Sequence, residues 1–504
     1  MKHAYFALAP AFGVGAVERR LFGSFVEHMG RSVYTGIYEP GHPAADESGL
    51  RRDVLGLARE LGVSVVRYPG GNFVSNYHWE DGVGPRDSRP TRLDLAWRQI
   101  ERNAFGLDEF MTWVRELGAE PMMAVNLGTR GLREACDLLE YANHPGGTHL
   151  SDLRGKNGAP EPYDIRLWCL GNEMDGPWQI GGKTAAEYGR LAAETAKAMR
   201  RVDPRVELIA CGSSDRDMPT FGSWEATVLE HCYEHVDYIS LHAYYDPAAQ
   251  DRASFLASAV DMDDFISAVV ATADHVGAKL GRRKKLKLSF DEWNVWSRSR
   301  FGGEDSLDWT EAPRLIEEDY DVTGAVVVGS LLISLLGHVD RVGIACQAQL
   351  ANVIAPIRTE PGGPAWRQTI FHPFALTAAH ARGRVLRVEP VAPRQETARY
   401  GDVPVLAATA TYDAETGDVA IFAVNRDLAE PLALDVDLRG VPGLAVAEHV
   451  AIAEDDNTAR NTQTAPDRVV PRRLDGARID GDRLTAVLPP VSFNVVRLRK
   501  ETPR

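Results

Sequence analysis

Eight short apolar runs of this 504-residue chain end in side chains that can carry charge or hydrogen bond. The run ends are Glu27-His28, Arg67 to Asn72, Asn126, Asn172-Glu173, Ser213-Ser214, His242 to Tyr244, Glu292-Trp293 and Gln347 to Gln349. Two of them, closing Leu167 to Glu173 and Leu288 to Trp293, place a glutamate where an apolar strand would stop. Paired carboxylates are what glycoside hydrolysis needs, one to protonate the leaving oxygen and one to stabilise or attack the oxocarbenium-like centre. A single rim glutamate could instead be held in an ion pair with a neighbouring arginine. Two such ends, with Asn172 directly before the first, are hard to explain as packing. The other ends keep both readings open. Tyr244 could fill a rim position, Glu27 could pair with Arg67, and His242 and His28 rank below the glutamates as rim or core histidines. Trp97 begins a helix-like segment, whereas Trp178 and Trp296 follow the two glutamate ends, where an aromatic face can stack on a sugar ring. Gly70-Gly71 reads as a tight strand-end turn, because no Lys-Ser/Thr follows to make a phosphate loop.

These ends need a scaffold that makes them converge. The strand-like runs cover 21–27, 63–69, 120–127, 165–173, 206–213, 236–244, 286–293 and 339–347. Between them lie helix-like segments at 50–61, 108–117, 184–201, 221–231, 262–280 and 321–336. The clearest opens at Thr184 with Glu187 three residues on and stops at Asp203-Pro204. Strands alternating with helices imply parallel strands joined by crossovers. Eight of them close into a (β/α)8 TIM barrel, whose active site sits at the carboxyl ends of the strands. An open doubly wound sheet would show a G-x-G-x-x-G turn after an early strand, and none follows. Beyond about Arg384 the runs at 405–412, 418–425, 432–438, 445–453 and 483–488 are short, β-branched and broken by Gly, Pro and Asp. They read as a C-terminal all-β sandwich, jelly-roll-like, to which residues 4–10 could add a strand. The expected division is a catalytic barrel at 18–380 and a sandwich built from 1–17 plus 381–504. Residues 455–462 read as a polar loop.

Composition removes several classes of function. Lys plus Arg number 56 and Asp plus Glu 71, a formal charge of −15, so a phosphate-binding surface is not the main purpose and no nucleic-acid partner is expected. The dense basic run, Arg282 to Lys285, reads as a solvated turn. No window approaches 18 consecutive apolar residues and the first residues lack a signal-peptide core, so no membrane partner is expected. Five dispersed cysteines without a C-x-x-C pair suit reduced thiols in a cytoplasmic protein.

Longer motifs make the chain recognisable. Trp168 to Trp178 (WCLGNEMDGPW) and Leu288 to Trp296 (LSFDEWNVW) resemble the family fifty-one glycoside hydrolases, the α-L-arabinofuranosidases. So do Phe22 to Arg31, Tyr38 to His42, Val66 to Phe73, Trp79 to Gly82 and Asp237 to His242, and the likeness runs from about residue 18 to 375. The resemblance implies Glu173 as general acid/base, Glu292 as nucleophile, Asn172 on the sugar 2-hydroxyl and Tyr244 orienting the nucleophile. It implies Glu27, Asn72 and Gln349 on the remaining hydroxyls, with His242, Trp97, Trp178 and Trp296 lining the pocket. It further implies an intracellular enzyme without metal or other cofactor, an arabinofuranosyl oligosaccharide as substrate, and a homo-oligomer, often a hexamer. Asn76, His78 and Ala243 depart from the family's usual residues.

Retention of configuration would need the two carboxyl groups about 5 Å apart and Glu173 protonated before attack, helped by the negative charge of Glu292. Three rivals remain at this level. A metal-dependent barrel enzyme could draw ligands from His28, His242 and the two glutamates. A non-catalytic sugar binder would gain nothing from opposed carboxylates. A glycosidase with the same mechanism and another sugar shares the fold, which does not fix substrate.

Overall fold

The computed structural model describes residues 1–501. Eight parallel strands close into a barrel in chain order: Gly23–Phe25, Val65–Tyr68, Glu120–Ala124, Leu167–Leu170, Glu207–Ala210, Tyr238–Tyr245, Lys287–Val295 and Val342–Gln347. Each falls on one of the eight expected runs. Inside the barrel, Val65, Met122, Leu167, Cys169, Ile209, Ile344 and Cys346 form an apolar plug, and the polar run ends lie beyond it. Most of the expected strands are longer than the observed ones at their carboxyl ends. The fourth stops at Leu170 because Gly171 turns at φ 95° and takes Asn172 and Glu173 out of the ladder.

The six expected helices are present, and Ala185–Val202 carries the anticipated capping box, in which the Thr184 side chain accepts from the Glu187 N–H and Glu187 accepts from the Thr184 N–H. Helices Leu132–Asn143, His149–Lys156, Arg252–Leu256 and Phe371–His380 add to the expected set. Gly131 opens the first of these, and its capping glutamate, Glu134, was the signal available. Arg282 to Lys285 is an exposed turn and none of the five cysteines is bridged.

The tail folds into two sheets. One orders Lys2–Ala7, Leu432–Asp437, Arg483–Leu488 and Arg478–Asp480. The other has seven strands and includes Gly13–Ala16, Leu406–Tyr412, Val419–Asn425 and Leu444–Ile452. Strand Lys2–Ala7 runs parallel to Leu432–Asp437, so the start of the chain belongs to the sandwich core with Leu406, Ile421, Leu434 and Val496. A central strand, Ser492–Lys500, lies between Val419–Asn425 and Leu444–Ile452 and was not expected from the sequence. Its buried Ser492 and Asn494 interrupt the apolar pattern, and both of its faces are covered, so period-two alternation is lost.

Barrel and sandwich share one element. Helix Val322–Gly337 is buried along nearly its whole length, packing on barrel helices on one side and on sandwich strands on the other. Gly329 is what allows the close approach: a Cβ there would lie 2.3 Å from the ring of Phe493. Replacing Gly329 by Ala is therefore expected to destabilise the protein by about 1–3 kcal/mol through overpacking. A thermal melt of G329A with an unchanged midpoint would show that this junction can yield.

Candidate active site

The two glutamates reach the barrel mouth by different backbone devices. After Gly171 the chain holds Glu173 at φ 42°, a left-handed conformation uncommon for any residue with a Cβ and concentrated at functional sites. Glu292 lies within the long seventh strand and pairs in register with His242 of the sixth. The ladder to the eighth strand slips between Phe290 and Trp293, which lets the consecutive residues Asp291 and Glu292 both serve the interior.

One carboxylate oxygen of Glu173 and one of Glu292 lie within 4.8 Å of each other and of a His242 ring nitrogen. Glu292 is fixed through both oxygens, by Arg67 Nη1 at 2.6 Å and the Tyr244 hydroxyl at 2.6 Å. Glu173 accepts from Trp178 Nε1 at 2.6 Å and contacts His242 Nδ1 at 2.9 Å. The other imidazole nitrogen meets Asp291 at 2.9 Å. Burial alone would disfavour the imidazolium, yet the charges and hydrogen bonds of Glu292, Asp291 and Glu173 raise the His242 pKa to about 10. Asp291, buried as it is, is held below the ordinary carboxylate value by Arg67 and His242. Burial and the nearby Glu292 raise Glu173 above the usual glutamate value, against the opposing bonds from His242 and Trp178.

A second group of predicted residues forms a cradle beside the pair. Glu27 accepts from Phe73 N and Trp97 Nε1, both at 3.0 Å, and from Gln349 Nε2 at 3.0 Å. Burial and the charge of Glu292 push Glu27 up to about 8. Gly71 permits this approach, since a Cβ there would stand 2.5 Å from a Glu27 oxygen. Asn172 bridges Arg67 Nη2 at 2.7 Å and Asn72 at 3.1 Å.

Glu27, Asn72, Trp97, Glu173, Trp178, Tyr244, Glu292, Trp296 and Gln349 line one cavity of about 240 Å³. Asn172 and His242 stand behind its wall, gripping residues that face it. Trp296 meets Tyr244 edge to face at 5.3 Å, and Trp178 is 40% exposed at the rim. Three sequence readings change. Arg67 pairs with Glu292, not with Glu27. Trp97 starts no helix; it sits in a hairpin between Arg92–Asp94 and Gln99–Glu101, anchored by Gln99 Nε2 on the His28 carbonyl and by Glu101 on the His28 ring. Trp178 offers its indole N–H to Glu173 as well as a ring face to the cavity. Asp291 had no role in the sequence reading, and its only signal was an acidic residue doubled with Glu292 in an apolar strand. The loop carrying Arg298 and Phe301 also joins the cavity wall and had none.

A closed parallel barrel with two glutamates this close over one small cavity is the arrangement of a glycoside hydrolase that works with two carboxylates. Residues 57–258 match the family model of the alpha-L-arabinofuranosidase 1 domain and residues 291–492 that of the alpha-L-arabinofuranosidase C-terminal domain. An intracellular exo-α-(1→5)-L-arabinofuranosidase of Streptomyces lividans is 61% identical over 506 residues, covering 100% of this chain and 76% of that protein. One from Bacillus subtilis is 50% identical over 502 residues, covering 100% of both. The solved structure of a family 51 α-L-arabinofuranosidase from Bifidobacterium longum superposes with a TM-score of 0.95 at 49% identity, covering 99% of this chain and 100% of that one. The chain belongs to glycoside hydrolase family 51, the α-L-arabinofuranosidases.

Replacing Arg67 by Met would leave Glu292 and Asp291 buried without their shared cation. A loss of about 3–5 kcal/mol is expected for breaking such a pair from one side. Denaturant unfolding of R67M checks this, and a midpoint equal to that of the parent would mean the carboxylates are balanced by other groups.

Proposed function

We propose that the protein is a retaining, exo-acting α-L-arabinofuranosidase that removes terminal non-reducing arabinofuranosyl residues from arabinose-containing oligosaccharides of arabinan or arabinoxylan. The observation that carries this is the separation of the Glu173 and Glu292 carboxylates. Oxygens within 4.8 Å suit double displacement, whereas inverting enzymes keep the groups about 6.5–9.5 Å apart to admit a water. The relatives' names supply the sugar.

In this reading Glu292, aimed by Arg67 and Tyr244, attacks the anomeric carbon while Glu173 gives its proton to the departing glycosidic oxygen. Forming the ester neutralises Glu292 and removes the charge that helped keep Glu173 protonated. Glu173 then ionises and takes a proton from the water that releases the sugar. Glu27, Asn72 and Gln349 hold ring hydroxyls, Asn172 fixes Asn72 from behind the wall, and Trp97 closes the inner end, so one terminal residue fits and cleavage is exo. His242 holds Glu173 in place and spreads the cluster's charge; Trp178 and Trp296 flank the leaving group.

Barrel 18–380 and sandwich 1–17 plus 381–504 are taken as the two units. A cytoplasmic location follows relatives named intracellular, and makes imported oligosaccharides the natural substrate. Among the described residues no helix is long and apolar enough to cross a membrane. A homo-oligomer, as a hexamer, is the expected assembly and is read directly by light scattering.

Four outcomes test the mechanism. Glu292→Ala should cost several orders of magnitude in turnover. Glu173→Ala should lose roughly 10²–10⁴-fold on oligosaccharides and much less on aryl arabinofuranosides, whose leaving groups need no proton. Because Glu173 must be protonated and its pKa is raised, kcat/KM of the parent should fall as pH rises through that value, and this alkaline limb should vanish in E173A with an aryl substrate. NMR of the first-formed product should show the α-anomer; the β-anomer would exclude double displacement.

Glu173, His242 and Glu292 could each present one atom to a metal ion. Both nitrogens of His242, however, face carboxylates, and an imidazolium has no lone pair to offer. Activity is therefore expected to survive exhaustive chelation, and a loss restored by a divalent ion would favour the metal-dependent rival.

A further inference from the structure

Beside the cavity over the two glutamates lies another of about 250 Å³, and Tyr244 and Arg298 line both. Its walls come from separate parts of the fold. The loop after the fifth barrel strand gives Asp215 and Asp217, and the loop after the sixth gives Asp246 and Gln250. The sandwich sends a hairpin, Arg394–Thr397 with Gly401–Pro404, whose tip carries Arg399 to the barrel mouth. That tip is tied down by the Arg399 N–H on Ser254 Oγ at 3.1 Å and the guanidinium on Asp217 at 3.3 Å.

Three of the four aspartates in this cavity are matched with arginines, and the fourth, Asp246, accepts from the N–H groups of Ala248 and Ser299, both at 2.7 Å. Arg298 bonds Asp215 at 2.9 Å, Arg216 bonds Asp261 at 2.8 Å, and Arg399 bonds Asp217. A lining of paired aspartates and arginines presents many donors and acceptors and little unbalanced charge, which suits a neutral polyhydroxylated ligand better than an ion. Two buried polar atoms in the wall have no partner among the described residues, the Tyr245 hydroxyl and Gln250 Oε1. Tyr245 is 5% exposed, so its hydroxyl is desolvated without compensation and would gain from a ligand hydroxyl.

We propose that this cavity binds the sugar units beyond the scissile bond, as a subsite one residue further out than the position flanked by Trp178 and Trp296, with Arg399 contributed by the sandwich. The proposal rests on the hydrolase reading of the neighbouring cavity. A leaving group of one sugar stays between the tryptophans. A leaving group of two passes Arg298 and places its second ring among Asp217, Gln250, Tyr245 and Arg399.

The test compares kcat/KM for an aryl α-L-arabinofuranoside, (1→5)-linked arabinobiose and arabinotriose. The parent enzyme should favour the triose over the biose by roughly tenfold, the value of one or two added hydrogen bonds. D217A and R399A should lose most of that preference and stay within about twofold on the aryl substrate. Y245F deletes only the unpartnered hydroxyl. It should melt no lower than the parent and still lose part of the triose preference, a split that a purely structural role would not give. Equal rates on biose and triose in the parent, or an undiminished preference in all three variants, would overturn the subsite while leaving the hydrolase reading intact. No hydrolysis of any arabinofuranoside by the parent would overturn both.

Discussion

Three carboxylates and two cations, Glu173, Asp291, Glu292, Arg67 and His242, are packed together at the barrel mouth with little access to water. Removing so many charges from water is unfavourable unless each finds its counterpart at hydrogen-bond distance. The second, fourth, sixth and seventh strands each deliver one or two members, so the cluster is balanced only when the barrel is closed in this order. The same balance divides the labour between chemically identical side chains. Asp291 lies against both cations, sharing Arg67 with Glu292 and His242 with Glu173, and holds its charge; Glu173 is left with the indole of Trp178 and a share of His242, and holds its proton.

The sugar cradle follows the opposite logic. Glu27, Gln349, Trp97 and the Phe73 N–H satisfy one another in the absence of a ligand. In the proposed function a sugar entering there would exchange bonds of similar kind, with groups already in position.

Much of this was legible in the sequence because it is written in local patterns. All eight barrel strands coincide with apolar runs, and Glu173 and Glu292 stand out since a charge ending such a run is costly without a purpose. Pairings across the barrel were not legible. Arg67 follows its own strand's pattern whether it meets Glu27 or Glu292, and only closure selects the partner. Asp291 was hidden because strict alternation would turn it away from the interior, and the slip in the ladder that turns it back is set by the neighbouring strand. Trp97 was misread because a tight hairpin with mixed apolar and polar residues leaves too short a pattern to distinguish from a helix start. The cavity holding Arg399 could not be anticipated at all, as its walls lie on loops whose sequence separation says nothing of their distance in space.

The parallel pairing of Lys2–Ala7 with Leu432–Asp437 has a consequence for the order of events during synthesis. This strand leaves the ribosome before the barrel, and the other members of its sheet follow the barrel. At about 5–20 residues per second the whole barrel is translated before that partner exists. The nascent chain must therefore carry an unpaired apolar strand, with Phe6 and Leu8 uncovered, past a folding barrel for tens of seconds. An exposed strand edge is a template for wrong pairing. His3 and Tyr5, which alternate with the buried Ala4 and Phe6, keep one face of it compatible with water through that interval.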